Sequence, residues 1–198
     1  MSWPPEVELR GNHAWLVPLR PEHAPALAEA SAEGELWRIW YTNVPNPDDM
    51  AAEIAKRLEK QAAGNCLPFA VIDPAAGRAV GMTCYWNLDA EAKRVEIGAT
   101  WHRRSVQRTP LNTECKRLLL AHAFETLGCI AVEFRTHFLN HQSRRAIERL
   151  GAKLDGILRN HIRAKDDSLR DTCVYSIIAS EWPAVRTHLD WQLLKPRG

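Results

Sequence analysis

Residues 94–127, RVEIGATWHRRSVQRTPLNTECKRLLLAHAFETL, decide the fold of this chain. Their first part, residues 95–101, is a β-branched and apolar run that predicts a buried strand. Residues 102–109 are polar and carry three arginines. From Pro110 the apolar residues recur at helical spacing, which predicts a helix that ends at Gly128. A strand therefore leads through a short basic loop into a helix.

The start of this helix has the features of an anion site. Thr109 is a good capping residue, and Pro110 fits the first helical position because its missing N–H would be unpaired there. Unpaired backbone N–H groups and the helix dipole then converge on one point, which suits a phosphate. Arg103, Arg104 and Arg108 would add positive charge. An ordinary solvated basic loop fits the pattern equally well.

The loop also resembles a known coenzyme-binding motif. Residues 107–112, QRTPLN, are similar to the Gln/Arg-x-x-Gly-x-Gly/Ala pyrophosphate loop of the GNAT acetyltransferase superfamily. The flanking runs, VEIG at 95–98 and Thr113-Glu114, resemble the branch that contains the ribosomal-protein N-terminal acetyltransferases. Pro110 replaces the glycine and donates no N–H, and Asn112 replaces the small residue. The resemblance implies acetyl-CoA contacts from Gln107, Arg108, Thr109, Leu111, Asn112 and Thr113.

The other elements follow the order of the same superfamily. The patterns predict a strand at 15–19, a helix from Pro21, a helix from Asp48 to Gly64, strands at 67–73, 79–86 and 130–138, a short helix from Asn140 to Gly151, a hairpin of 154–162 and 172–178 around Asp166-Asp167-Ser168, and a last helix capped by Ser180. Strand 130–138 should turn Ile130, Val132 and Phe134 to one side. A strand, a helix and a further strand imply a parallel pair.

We therefore expect one α/β (α+β) acetyltransferase domain over residues 1–198. Its sheet should be mixed and mostly antiparallel, with about seven strands and helices on both faces. The resemblance further implies that the central parallel pair is splayed.

Glu96 is the candidate general base. Acetyl transfer to an amine requires a neutral amine, a stabilised oxyanion and a proton or hydrogen bond for the departing thiolate. Because Glu96 lies between Val95 and Ile97, its side chain should point to the opposite face, and burial would raise its pKa. A structural carboxylate paired with Arg94, Arg135 or a backbone amide is an equal alternative. His161 is a reserve base.

Residues 140–143, NHQS, resemble the Asn-x-x-Ser of the same branch. There the asparagine binds the pantetheine arm and the serine lies near the sulfur, which implies these roles for Asn140 and Ser143. Helix capping explains both residues as well, and the two roles are compatible. The resemblance also implies that Arg144 reaches the nucleotide end of the coenzyme, although a solvated arginine is the simpler interpretation.

The same resemblance implies that Thr100, Trp101 and His102 line the pantetheine, with a backbone N–H among them as the oxyanion donor. In this family the segment before the main sheet forms the acceptor pocket. Here it is aromatic, and Trp37, Trp40 and Tyr41 are candidates for its lining. We favour core packing for these three side chains, because large aromatic residues dominate protein cores.

Composition narrows the function classes. The net charge is +2, which gives no basic footprint for a nucleic-acid partner. No apolar run is long enough to span a membrane, and no signal peptide is recognisable. The five cysteines include no C-x-x-C pair, which indicates reduced thiols in a cytoplasmic protein and no zinc site.

The leading hypothesis is an N-acetyltransferase that uses acetyl-CoA, needs no metal, and modifies a primary amine. The acceptor would be a protein N-terminus, a small amine, an amino acid or an aminoacylated compound. The alternative is a non-catalytic CoA-binding or protein-interaction module with the same fold. A nucleotide kinase or phosphatase is disfavoured because there is no G-x-x-x-x-G-K-[ST] motif. The apolar segment 182–194 is a candidate homodimer interface.

Overall fold

The fold is built on one sheet. The computed structural model describes residues 3–164 and 167–195. Within them the strands are β1 (Leu9–Arg10), β2 (Trp15–Pro18), β3 (Cys66–Asp73), β4 (Arg78–Asp89), β5 (Arg94–His102), β6 (Ala131–His137), β7 (Lys153–Arg163) and β8 (Leu169–Ile178). The α-helices are α1 (Ala24–Ala32), α2 (Met50–Ala62), α3 (Pro110–Ala121), α4 (His141–Glu148) and α5 (Trp182–Leu194).

The eight strands of this sheet lie in the order β1-β2-β3-β4-β5-β6-β8-β7. All neighbours are antiparallel except β5 and β6, which pair in parallel across the α3 crossover. The mixed sheet, the three consecutive antiparallel strands and the parallel crossover confirm the sequence prediction. The strand count exceeds the expected seven because β1 has only two residues, too few for periodicity to reveal.

Helix α3 forms as its sequence predicts. The Thr109 hydroxyl accepts a hydrogen bond from the Leu111 amide at 3.3 Å, which caps the first turn. The helix continues through a π-helical turn at His122–Thr126, and Gly128 lies in the left-handed region at φ 67°. The predicted apolar rows pack into the core or against it.

Two apolar cores lie on opposite faces of the sheet. The larger core packs α3 and α5 against side chains such as Tyr85 and Phe134. The smaller core packs α1 and α2 against β3 and β4, and it includes Met82 and Trp101. On α5, Trp182 is buried, whereas Trp191 is exposed.

Three sequence predictions need correction or restriction. Ile130, predicted to share one side of the strand with Val132 and Phe134, lies before the first residue of β6 and is exposed, whereas Val132 and Phe134 are buried in the core. Ser180 is not the cap of the last helix, since Glu181 occupies that position. In the predicted turn at 166–168, Asp166 lies outside the described residues.

Candidate active site

The central parallel strands separate immediately beyond Glu96. Strands β5 and β6 pair at Arg94–Ala131, Val95–Val132 and Glu96–Glu133. From Ile97 onward β5 continues to its end without pairing to β6, and β6 likewise continues without β5. A gap therefore opens in the middle of the sheet, with Glu96 at its closed end.

A bulge in β5 accompanies this opening. Ala99 has φ 48°, and the pairing with β4 shifts between Met82–Trp101 and Cys84–Gly98. The extra residue reverses the side-chain alternation, so that Trp101 points to the α1 and α2 side while Thr100 points to α3. Thr100, Trp101 and His102, which are predicted to line the pantetheine, therefore follow the bulge directly.

The loop before α3 has a defined backbone. Residues Arg104–Val106 form a short 3-10 turn, and Arg108 is left-handed at φ 64°. The Gln107 side chain donates to the His102 carbonyl at 3.0 Å, and the Thr109 hydroxyl donates to the Val106 carbonyl at 2.7 Å. These contacts hold the loop against the end of β5.

Glu33 fastens the same loop to the end of α1. Its carboxylate forms an ion pair with Arg103 and accepts a hydrogen bond from the Ser105 amide at 2.5 Å. The charge of Arg103 is therefore matched inside the protein. Other loop candidates turn their side chains inward: Leu111 is buried in the core, and the Thr113 hydroxyl accepts from Arg149 at 3.1 Å. For these two residues only the backbone remains to contact a ligand.

A buried polar cluster lies between the bulge and α3. The Lys116 ammonium donates to the Thr100 hydroxyl at 2.6 Å, and Thr100 also bonds to Thr83 at 2.8 Å. Burial lowers the pKa of Lys116 to about 8. Burial, aided by the neighbouring Lys116 charge, lowers the pKa of His102 to about 4, so its ring is neutral at physiological pH. His102 Nε2 faces the Asn112 side-chain oxygen at 3.1 Å.

Glu96 points away from the larger core, as its apolar neighbours predict. It is buried, and its carboxylate accepts from the Asn87 side chain at 2.6 Å and lies 3.5 Å from Arg135 Nε. Burial raises the pKa of this carboxyl group, although the charge of Arg135 opposes the change. Beside it opens a cavity of about 180 Å³ lined by Asn87, Asp89, Arg94, Val95, Glu96, Glu133 and Arg135.

Gly98 keeps space free next to Glu96. A Cβ at position 98 would lie 2.8 Å from Glu96 Oε1 and 3.1 Å from the Trp86 ring. A side chain would therefore displace the carboxylate at the closed end of the gap.

Helix α4 begins with the second predicted motif. The Asn140 side-chain oxygen accepts from the Ser143 backbone amide at 3.0 Å, which is the capping interaction expected of this pattern. The Ser143 hydroxyl takes no part in that bond. Arg144 is half-buried rather than solvated: it donates to the Tyr175 hydroxyl at 3.1 Å and to the Phe138 carbonyl at 3.3 Å.

The aromatic segment before α2 reaches the far end of the gap. Trp40 packs edge-to-face on His137, the last residue of β6, with ring centroids 5.2 Å apart, and Tyr41 lies 6.2 Å from the same ring. Core packing was the wrong prediction for Trp40, which is 59% exposed. Trp37 and Tyr41 are half-buried. Because Trp40 contacts His137 from outside the cores, it borders the open face of the sheet.

Sequence reasoning missed three residues of this region. Asn87 lies in the left-handed region at φ 47°, a conformation that asparagine tolerates, and this was its only signal. Lys116 lies four residues after Asn112 and so on the same side of α3, a spacing that could have indicated its position beside the end of β5. Arg170 donates through Nε to the Thr172 hydroxyl at 3.1 Å. The same hydroxyl lies 3.1 Å from Nδ1 of His161, the reserve base. No pattern marked Arg170.

Other features of the described residues concern metals, cysteines and membranes. No group of three His, Cys, Asp or Glu side chains among them is placed to hold a metal ion. All five cysteines are buried and unpaired. None of the helices in the described part of the chain is both long and apolar enough to cross a bilayer.

Comparison with known proteins identifies the family. A family model described as an acetyltransferase (GNAT) domain matches residues 13–153. Because this match covers more than half of the chain, the protein belongs to the GNAT acetyltransferase family. No curated protein matches the chain.

Solved structures agree with this assignment. A GCN5-related N-acetyltransferase from Brucella melitensis is 31% identical, with a TM-score of 0.82 over 95% of this chain and 86% of that one. A provisionally assigned acetyltransferase from T. thermophilus is also 31% identical, with a TM-score of 0.83 over 98% of this chain and 100% of that one. Mycobacterium smegmatis RimJ in complex with CoA-disulfide shares the fold at 21% identity, with a TM-score of 0.77 over 96% and 95% of the two chains.

Proposed function

We propose that this protein is an acetyl-CoA-dependent N-acetyltransferase that modifies a primary amine by direct attack in a ternary complex. The observation that carries the proposal is the position of Glu96. A buried carboxylate with a raised pKa stands where the sheet opens, next to a cavity large enough for a small polar group. A general base for an amine requires this combination of access and basicity.

The residues of this chain fit the coenzyme. The unpaired stretch of β5 beyond Glu96 offers backbone groups to an extended amide chain such as pantetheine. The N-terminus of α3 and the loop at 107–112 offer N–H groups and a positive dipole end to a diphosphate. Pro110 occupies the first helical position, so the amides of Arg108, Thr109, Leu111 and Asn112 would carry this contact. When bound, the coenzyme supplies an activated acetyl thioester.

Each side chain then has a proposed task. Glu96 takes a proton from the amine, directly or through water, and Arg135 and Asn87 hold its carboxylate in place. A backbone N–H among Thr100, Trp101 and His102 would stabilise the oxyanion. The Ser143 hydroxyl would hydrogen-bond the departing thiolate, and Asn140 would position the pantetheine arm.

The acceptor and the compartment are also proposals. The acceptor is a protein N-terminus or a small amine, including amino acids and aminoacylated compounds. Five buried, unpaired thiols support a reducing compartment such as the cytoplasm.

The test measures CoA release across a panel of amines, for the parent protein and for Glu96→Gln. If Glu96 is the base, the substitution should lower turnover by about 100-fold or more. Acetyl-CoA affinity, measured by calorimetry, should stay nearly unchanged because the carboxylate lies away from the phosphate loop. Unchanged turnover in the variant would remove Glu96 from the mechanism.

A non-catalytic module is the competing function, and Pro110 favours it because one phosphate-binding amide is missing. Tight acetyl-CoA binding with no CoA release for any amine would support the module and contradict the proposed enzyme.

A further inference from the structure

The face of the sheet beside Glu96 carries a row of basic side chains. In the β6–β8 register, Arg135 lies opposite Val174 and His137 lies opposite Thr172, so their side chains share the face that Glu133 also occupies. Arg170 follows on β8, two residues before Thr172, and therefore belongs to the same face. Helices α1 and α2 pack on β3 and β4, at the other side of the gap.

Two carboxylates of this face, Glu96 and Glu133, already lie beside other arginines. Glu133 forms ion pairs with Arg94 and Arg135, and Glu96 lies 3.5 Å from Arg135. Arg170 instead donates through Nε to the Thr172 hydroxyl. Within residues 3–164 and 167–195, no carboxylate lies within ion-pair distance of Arg170. Arg170 therefore has no contact ion pair within the described part of the chain.

Arg170 is also partly desolvated. Burial is the main cause that lowers the pKa of its guanidinium, and the charge of Glu96 acts in the opposite direction. The two groups are therefore close enough to interact electrically. An arginine remains protonated in a protein, so a partly buried one favours an anionic partner.

The hydrogen bond to Thr172 gives the guanidinium a direction. Thr172 lies two residues along β8 from Arg170, on the side toward the level of Glu96 and Arg135. This bond engages Nε and leaves the two terminal nitrogens of the guanidinium for another partner. A planar guanidinium presents two parallel N–H groups, which match the two oxygens of a carboxylate.

We propose that the acceptor of this protein carries a carboxylate as well as its amine, and that Arg170 binds this carboxylate while Glu96 faces the amine. The inference rests on the proposed N-acetyltransferase function and names its substrate class. Amino acids satisfy this chemistry, and so do peptides with an acidic residue close to the N-terminus. The aromatic side chains of Trp40 and Tyr41, beside His137, would border the same space.

The experiment compares matched pairs of amines that differ only in charge. The small-molecule arm uses amino acids and ω-amino acids of increasing length against their carboxamides. The peptide arm uses peptides with Asp or Asn at the second position. Initial rates of CoA release give kcat and KM for each acceptor. A higher kcat/KM in the small-molecule arm assigns the carboxylate to an amino acid, and a higher value in the peptide arm assigns it to a peptide.

Three variants locate the effect. Arg170→Gln removes the charge, Arg170→Lys keeps a charge without the planar fork, and Arg159→Gln is the control. Arg159 lies on the adjacent strand β7, has a side chain that is 80% exposed, and pairs with Asp171. Thermal unfolding of each variant reports any loss of structure.

The parent should prefer the carboxylate member of a pair by about 10- to 100-fold in kcat/KM, the range of a charge-assisted hydrogen bond. Arg170→Gln should abolish this preference mainly by raising KM for the carboxylate acceptor, while KM for acetyl-CoA stays unchanged. Arg170→Lys should restore part of the preference, and Arg159→Gln should retain it fully.

Two outcomes overturn the inference in different ways. If amines are acetylated without regard to the carboxylate, or if Arg170→Gln keeps the preference, the inference is wrong and the proposed function stands. If no amine of either kind is acetylated, the proposed function fails and the inference fails with it.

Discussion

The side-chain amide of Asn87 donates a hydrogen bond of 2.6 Å to the Glu96 carboxylate from the neighbouring strand. Asn87 reaches this position because its backbone is left-handed, at φ 47°, where the register of β4 shifts between Trp86 and Asp89. The bond favours the ionised carboxylate and so opposes the effect of burial, which raises the pKa of Glu96. Burial, the charge of Arg135 and this bond together set the pH range in which the candidate base is ionised.

Replacing Asn87 with glycine should therefore change the pH dependence of the reaction. Glycine tolerates the left-handed backbone, so the fold is kept while the donor is lost. The pKa of Glu96 should rise further, because Arg135 is left as its main stabilising partner and Glu133 opposes ionisation. The value of kcat/KM should fall by about 2- to 10-fold more at acidic pH than at alkaline pH. A pH–rate profile of kcat/KM measures this.

Asn160 provides the matched control for this substitution. It is also left-handed, at φ 50°, but it lies in the exposed strand β7 and bonds to Asp171 through its backbone amide. Asn160→Gly should leave the profile in place. An acidic limb that stays fixed in Asn87→Gly, or moves equally in both variants, would show that Glu96 does not control the rate.

The left-handed conformation of Ala99 predicts the effect of changing the bulge. For an L-residue this conformation costs roughly 1 kcal/mol, and a β-branched side chain adds to the cost. Ala99→Val should thus lower the free energy of unfolding by about 1–2 kcal/mol and weaken acetyl-CoA binding, because the bulge opens the gap. Ala99→Gly should keep acetyl-CoA affinity. Denaturant titration measures the free energy of unfolding, and calorimetry measures the affinity for acetyl-CoA. Equal affinity of the two variants would show that the bulge does not affect coenzyme binding.

Much of the fold was predictable from local patterns. The Thr109 cap, the apolar rows of α3 and the parallel crossover all follow from residue spacing within one continuous stretch. The direction of Glu96 followed from the alternation of Val95 and Ile97, which precedes the bulge. Local periodicity sufficed wherever the structure is locally regular.

The remaining features depend on contacts between distant segments. Alanine gives no sign of a left-handed conformation, so neither the bulge at Ala99 nor the reversed direction of Thr100 could be predicted. Trp40 resembles a core residue by type, yet it lies over His137, on a distant part of the chain, at the open edge of the gap. The electrostatic setting of Arg170 depends on how the nearby carboxylates are paired, which only the folded arrangement specifies.

Lys116 should destabilise the protein at neutral pH. Burial lowers the pKa of its ammonium to about 8, below the ordinary value of 10.5, so the folded state favours the neutral amine. Above the pKa of this lysine in the unfolded chain the side chain is neutral in both states, and its burial carries no charge penalty. As the pH falls from that value through 8, the buried ammonium becomes charged and the free energy of unfolding decreases. Lys116→Met should raise the free energy of unfolding at pH 7 by about 1–3 kcal/mol, and the gain should vanish as the pH approaches the unfolded pKa. Denaturant titrations across this range measure the difference. Lys56→Met, on the exposed face of α2, should show no such trend, and an equal trend in both variants would contradict the argument.

Ser143 and Asn140 can be separated because the cap of α4 uses the Ser143 amide and not its hydroxyl. Ser143→Ala keeps this amide and should retain the stability of the parent, while a hydroxyl that serves the thiolate would be lost. The expected result is a kcat lowered by about 10-fold or more, with an unchanged melting temperature.

Asn140→Ala removes the capping oxygen and should cost about 1 kcal/mol of stability, whereas Asn140→Asp should preserve the cap. If asparagine also positions the pantetheine, the aspartate variant will fold normally and still bind acetyl-CoA more weakly, since it presents no amide donor. Calorimetric binding to the Asn140→Asp protein decides this. An affinity equal to that of the parent would assign Asn140 to capping alone, and a normal kcat in Ser143→Ala would exclude its hydroxyl from the chemical step.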